Sequence, residues 1–350
     1  MMFWLILGGL ISWVYLSIRP PRSKVCGSPN GPPVTAPRVR LRDGRHLAYQ
    51  EVGVPKEKAQ YKVIAVHGYG GSRHECFPVS EALMKELGVY LVSFDRAGYG
   101  QSDPFPQRTV KSDALDIQDL ADQLDLGKRF YLVSNSIGGY SAWGCLKYLP
   151  HRLAGVAMVA PVTNFWWPGI PPKEAREAFQ TQGAGDRMAL RVSHYAPWLV
   201  YWWMNQKWFP TSSTVEGSPT RENELDRSIR AKRAVEIDPL VKQEASQQGV
   251  FECMHRDMIT EFGTWEFDPG NLENPFKNGN GSVHIWQGVE DYLVPVKLQR
   301  YIHRRLPWIH YHELPGMGHV LVRVKGLPDR ILQALLLGEE KQSISSYTKL

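Results

Sequence analysis

Seven short apolar runs, at residues 46–52, 62–66, 90–94, 130–133, 153–159, 283–286 and 309–314, alternate with segments that read as helices, among them 75–87, 112–124 and 137–149. No other feature of the chain restricts its folding as much. Strand and helix in strict succession predict an α/β protein with a doubly wound, mostly parallel sheet and helices on both faces. The alternation stops after residue 159. Between 161 and 280 no strand is predicted, and Trp166, Trp167, Trp198, Trp202, Trp203 and Trp208 recur there at helical spacing. The reading is an inserted helical cap, whose aromatic residues either roof a pocket or form the cap's own core.

A second constraint centres on Ser136. Tyr131-Leu132-Val133-Ser134-Asn135-Ser136-Ile137-Gly138-Gly139-Tyr140 sets an apolar strand against a turn of small residues and then opens into a helix. On so tight a turn the serine hydroxyl is pushed clear of the sheet, and the N–H of Ile137 points to the same spot. Alone, the pattern would equally describe a helix N-terminus capped by serine. Downstream, the strand at 283–286 runs into Gln287-Gly288-Val289-Glu290-Asp291, with Pro295 opening the next helix, so the turn carries a carboxylate. Asp291 is the expected acid and Glu290 its alternative. The last strand leads to Pro315-Gly316-Met317-Gly318-His319, where glycines let an imidazole swing toward the serine. Upstream, His67-Gly68-Tyr69-Gly70-Gly71 follows a strand, and the N–H groups of Tyr69 and Ile137 are the expected oxyanion donors. The loop from Asp95 to Asp103 is rich in glycine; Asp95 and Arg96 are expected to shape it rather than to do chemistry.

With these landmarks the chain resembles the α/β-hydrolase fold superfamily in its single-domain-plus-cap form, and most resembles plant members. HGYGG, DRAGYGQS, SNSIGG and the pair Asp291 with His319 agree in identity, order and spacing over most of residues 38–337. The order Ser136, Asp291, His319 is that of the superfamily. The resemblance implies that His319 takes the Ser136 proton, that Asp291 holds the imidazole tautomer, and that the serine attacks a carbonyl carbon. A serine at 136, where an aspartate would be needed, excludes the epoxide hydrolase and dehalogenase branches. The expected activity is that of an esterase or lipase-like serine hydrolase acting on a small apolar ester through an acyl-enzyme, with neither metal nor organic cofactor. A ligand receptor with little turnover, or a lyase or acyltransferase on the same triad, are the alternatives.

Residues 1–18 carry no charged side chain and are followed by Arg19, Arg22 and Lys24. A spanning helix takes ~17–25 apolar residues, and neither a basic leader nor a small-residue cleavage pattern is evident. An uncleaved anchor is expected, with the catalytic domain cytosolic by the distribution of positive charge and the endoplasmic reticulum as its membrane. The sequon Asn280-Gly281-Ser282 would then stay unmodified. The expected boundaries are an anchor at 1–18, a Pro/Gly/Ser-rich linker at 19–37, a core at 38–160 and 281–338, the cap at 161–280 and a tail at 339–350. The formal charge of +6 is scattered, apart from Arg38, Arg40, Arg42 and Arg45 and the run 227–233. That distribution argues against a nucleic-acid partner and for solvated faces. Cys26, Cys76, Cys145 and Cys253 lack metal or redox spacing and are expected as free thiols in a reducing compartment.

Overall fold

In the computed structural model, which describes residues 2–75, 77–215 and 221–338, eight strands form one sheet. They are β1 (Arg38–Arg40), β2 (His46–Gly53), β3 (Tyr61–Val66), β4 (Val89–Phe94), β5 (Phe130–Asn135), β6 (Leu153–Val159), β7 (Val283–Gly288) and β8 (Ile309–Leu314). Their order is β1-β2-β4-β3-β5-β6-β7-β8. The β1–β2 and β2–β4 pairs are antiparallel and all others parallel. All seven expected strands are present. The eighth, β1, is a three-residue Arg-Val-Arg segment with one inward side chain, too short for its alternation to register.

The helices are α1 (Met2–Ile18), α2 (Glu81–Leu87), α3 (Val110–Gln123), α4 (Gly139–Tyr148), α5 (Pro172–Gln180), α6 (Ala184–Tyr195), α7 (Val200–Asn205), α8 (Glu224–Glu236), α9 (Pro239–Glu244), α10 (Arg256–Phe262), α11 (Val296–Arg305) and α12 (Leu327–Leu337). Strands β4, β6 and β7 are buried along their whole length because helices cover both faces of the sheet. Ile117 of α3, Trp143 of α4 and Leu298 of α11 pack on one face, Leu83 of α2 and Ile331 of α12 on the other. Among the described residues no strand lies between β6 and β7, where the chain runs through α5 to α10.

Helix α1 forms where an anchor was expected, but among the described residues no helix is long and apolar enough to cross a membrane. At ~1.5 Å per residue its 17 residues reach about 26 Å, short of a hydrocarbon layer ~30 Å thick. The expectation of a membrane-spanning N-terminal helix is therefore not supported by the described residues.

The segment after α1 is irregular, as a linker should be, yet it is stitched to the protein. The N–H of Cys26 donates to Gln248 Oε1 at 2.9 Å, and those of Thr35 and Ala36 donate to Gln101 Oε1 at 2.8 and 2.9 Å. The buried Gln248 in turn donates to the carbonyls of Gly100 and Ser102 at 3.0 and 2.7 Å. Nor is the arginine cluster of residues 38–45 simply solvated: Arg42 pairs with Asp119 and Arg45 with Asp116, both on α3, while Arg38 lies 3.5 Å from Asp103. Cys26, Cys145 and Cys253 are free and buried, and burial raises the thiols of Cys26 and Cys253 to about 11 and about 12. Cys76 and the tail at 339–350 lie outside the described residues.

Candidate active site

Ser136 follows the last residue of β5 and opens a single tight turn before α4. Its φ of +54° is in the left-handed region, a conformation a non-glycine residue holds only where its surroundings enforce it. The enforcement is visible at Gly138, where an added Cβ would sit 2.6 Å from the carbonyl oxygen of His67. The turn after β5 therefore presses directly on the end of β3.

Ser136 Oγ lies 2.9 Å from His319 Nε2, and His319 Nδ1 lies 2.8 Å from Asp291 Oδ2. A carboxylate only accepts, so in the neutral ring the proton is on Nδ1 and the Nε2 lone pair faces the serine hydroxyl. Asp291 is fixed in its turn: its Oδ1 accepts the N–H groups of Leu293 and Val294 at 2.9 and 2.8 Å, and Oδ2 accepts Gln287 Nε2 at 3.0 Å. Glu290, the alternative acid, points elsewhere and accepts Asn223 Nδ2 at 3.2 Å.

On the opposite side of Ser136 the loop at 67–71 is held by buried polar contacts. The N–H of Arg96 donates to His67 Nε2 at 3.1 Å, which leaves Nδ1–H to donate to the Gly68 carbonyl at 2.8 Å. Burial and the neighbouring Arg96 guanidinium lower the His67 pKa to about 3, so this ring is neutral. Arg96 also donates to the His67 and Gly68 carbonyls at 3.1 and 3.3 Å and forms a two-pronged pair with Asp257 of α10, both contacts at 2.6 Å. Asp95 accepts the N–H groups of Arg73 and Gln101 at 2.8 and 3.0 Å. Both residues thus act on loop shape, and through Arg96 the helical insertion bears on the segment that carries Tyr69.

Tyr69 and Ile137 line a cavity of about 380 Å³ into which Ser136 and His319 open. Val162, Phe165, Leu190, Met258 and Phe262 give it an apolar wall, and Gln182, Asp186 and residues 212–214 a polar one. Among the described residues none of the six tryptophans lines it. Trp167 packs against Trp143 and Trp265 with ring centroids 6.0 and 5.0 Å apart, Trp203 stacks on Phe209 at 5.7 Å, and Trp198 and Trp208 are exposed. The phenylalanines, not the tryptophans, meet the cavity. No group of His, Cys, Asp and Glu among the described residues is arranged to hold a metal ion.

One residue beside Ser136, His319 and Asp291 has no sequence signal. Asp226, buried on α8, accepts the N–H of His319 at 2.6 Å and that of Val320 at 3.1 Å. A Cβ at Gly318 would lie 2.2 Å from Asp226 Oδ2, so a glycine is needed there to admit the carboxylate.

Residues 63–330 match the family described as the alpha/beta hydrolase family. Solved structures similar to the chain include a thermophilic esterase from Thermogutta terrifontis with malate bound, 19% identical at a TM-score of 0.50, over 86% of this chain and 96% of that one. The enol-lactonase from Burkholderia xenovorans LB400 is 16% identical at 0.57, over 85% and 98%. The esterase RhEst1 from Rhodococcus sp. ECU1013 is 15% identical at 0.53, over 86% and 98%. At such identities the likeness is one of fold.

Proposed function

We propose, for a chain that belongs to the alpha/beta hydrolase family, that it is a serine hydrolase cleaving carboxylic esters through Ser136, His319 and Asp291. The observation that carries this reading is the continuous chain of contacts at 2.9 and 2.8 Å from serine to imidazole to carboxylate at the edge of a cavity. His319 Nε2 takes the hydroxyl proton as Ser136 Oγ bonds to the ester carbonyl carbon. The carbonyl oxygen becomes an oxyanion, for which the N–H groups of Tyr69 and Ile137 are the donors in this reading. Asp291 keeps the proton of Nδ1 in place and stabilises the imidazolium. That imidazolium then protonates the leaving alcohol, the C–O bond breaks, and Ser136 is left acylated. A water molecule, deprotonated by His319, repeats the sequence and releases the acid. The apolar wall of Val162, Phe165, Leu190, Met258 and Phe262 suits an aliphatic or aromatic portion of the ester.

The test is covalent labelling with a fluorophosphonate together with turnover of p-nitrophenyl esters of increasing chain length. Wild-type protein should label and hydrolyse, and Ser136→Ala should abolish labelling and cut turnover by on the order of a million-fold. Labelling that survives in Ser136→Ala, or tight ester binding without measurable turnover in the wild type, would overturn the reading.

A further inference from the structure

Tyr69, one of the two oxyanion donors in the serine-hydrolase reading, stands between Gly68 and Gly70, the latter at a φ of +66°. Glycines restrain the backbone weakly, so the chain itself imposes little on the peptide that joins Gly68 to Tyr69. That peptide is held instead through its carbonyl. The Gly68 oxygen accepts His67 Nδ1–H at 2.8 Å and Arg96 Nη2–H at 3.3 Å. Both donors depend on Arg96, because the His67 ring is itself fixed by the Arg96 N–H, which donates to Nε2 at 3.1 Å. A trans peptide is planar, so with the carbonyl turned to the guanidinium the N–H of Tyr69 points the opposite way. Gly68 also abuts the nucleophile: a Cβ there would lie 3.1 Å from Ser136 Cβ.

Arg96 does not keep its place alone. It is 1% exposed, pairs with Asp257 through Nη1 and Nη2, both at 2.6 Å, and donates from Nη1 to the Tyr140 hydroxyl at 2.8 Å. Asp257 also accepts the hydroxyls of Tyr99 and Tyr140 at 2.6 and 3.1 Å. A two-pronged, desolvated pair of this kind fixes the plane of the guanidinium, which a lysine cannot reproduce. Asp257 belongs to α10 of the helical insertion, and Met258 and Phe262 of the same helix line the cavity. One element thus both meets the ester and holds the counter-charge of Arg96. We propose that Arg96 and Asp257 are a positioning pair for the reaction: with α10 seated they keep the Gly68 carbonyl turned inward and the Tyr69 N–H available to the oxyanion, so that the insertion governs the chemical step as well as the shape of the cavity. The inference rests on the serine-hydrolase reading and adds to it two residues that act without touching the ester.

The experiment separates stabilisation of the oxyanion from binding of the ester. An octyl trifluoromethyl ketone takes Ser136 Oγ onto its carbonyl carbon, the hydroxyl proton passes to His319, and the ketone oxygen becomes the anion that the Tyr69 N–H must meet. The matching secondary alcohol fills the same cavity without forming that bond. Inhibition constants for both compounds, and kcat and KM for a p-nitrophenyl ester, are measured in wild type, Arg96→Lys and Asp257→Asn, with the adduct followed by fluorine NMR and folding by thermal denaturation. Since loss of a whole oxyanion donor costs ~100- to 1,000-fold in kcat, a misdirected one should cost each variant about 10-fold or more, both in kcat and in affinity for the ketone. KM and affinity for the alcohol should change by less than about 2-fold, because neither involves the oxyanion. Tyr140→Phe removes one hydroxyl that touches both partners and leaves the ion pair intact, so it carries the test if the other two variants do not fold; the same split is expected at about 3- to 10-fold. Equal losses for ketone and alcohol, or a folded variant with full affinity for the ketone, would overturn the positioning role and leave the hydrolase reading in place. A wild type that neither forms the adduct nor turns over the ester would overturn the hydrolase reading and this inference with it.

Discussion

The carboxylate of Asp226, 93 residues before His319 in the chain, accepts the N–H groups of both His319 and Val320. An amide in its place would accept through one oxygen and turn an NH₂ toward the other donor, so about one charge-assisted hydrogen bond, ~1.5–3 kcal/mol, would be lost. Asp226→Asn is expected to lower kcat by about 10-fold with KM little changed, and to speed hydrogen exchange at the amides of His319 and Val320. Faster exchange with kcat intact would restrict Asp226 to a structural role. Glu261 of α10 makes a different prediction. It is fully buried, neither of its oxygens has a hydrogen-bond partner among the described residues, and burial raises its pKa well above the ordinary value. The folded state therefore favours the protonated acid, and the stability this group contributes is full below the unfolded value of ~4.3 and lost as pH rises above it. Glu261→Gln should unfold at a higher temperature than wild type at pH 8 and at the same temperature at pH 4. Ser136, Asp291 and His319 were legible because each sits in a loop at a strand's C-terminal end, and glycine or proline marks those loops. Asp226 was not, since α8 is charged around its circumference and nothing in its sequence separates an inward acid from a solvated one.

The same contrast between marked and unmarked features holds for whole elements. Strands β2 to β8 announce themselves by apolar runs, whereas the short β1 pairs with β2 and buries Val39, and the arginines that follow it pair with α3. Helix α1 was recognisable as a helix, but whether it spans a membrane turns on a few residues of length that composition does not fix. The adjacent strands β7 and β8 carry a histidine pair that pattern reading passed over. His284 Nδ1 and His312 Nε2 are 3.0 Å apart, and His312 stacks on Trp286 at 3.7 Å. Burial lowers their pKa values to about 3 and about 4. Both are thus neutral when folded, while the unfolded chain takes up protons below ~6.5, so stability is present above that pH and falls as pH drops toward 4. Two such groups set an upper slope of about 2.7 kcal/mol per pH unit. His312→Phe, which keeps a ring on Trp286, should lower the slope of unfolding free energy between pH 6 and pH 4.5, measured in urea, by up to about 1.4 kcal/mol per pH unit. An unchanged slope would mean that other groups govern the acid limb.

At the scale of the whole molecule, the segment between α1 and β1 links regions that the sequence presents as separate. Through Gln101 it holds the glycine-rich loop after β4, and through Gln248 it reaches the helical insertion. Composition signalled an irregular stretch correctly but could not reveal its partners, because single glutamines far along the chain carry no pattern. A chain beginning at residue 19 is expected to keep most of its thermal stability, whereas one beginning at residue 37 loses these hydrogen bonds and the burial of Cys26, on the order of 2–5 kcal/mol. Equal unfolding midpoints for the two would refute the role. The contact between Cys26 and Gln248 spans 222 residues. On the ribosome this segment emerges 222 residues ahead of its partner and can latch only after residue 248 has followed, so the Cys26 thiol stays unlatched in the interval. Only 4% of that residue is exposed once the latch has closed, which leaves no room for an adduct acquired in the interval, and a chain alkylated or oxidised there while growing could not complete its final closure.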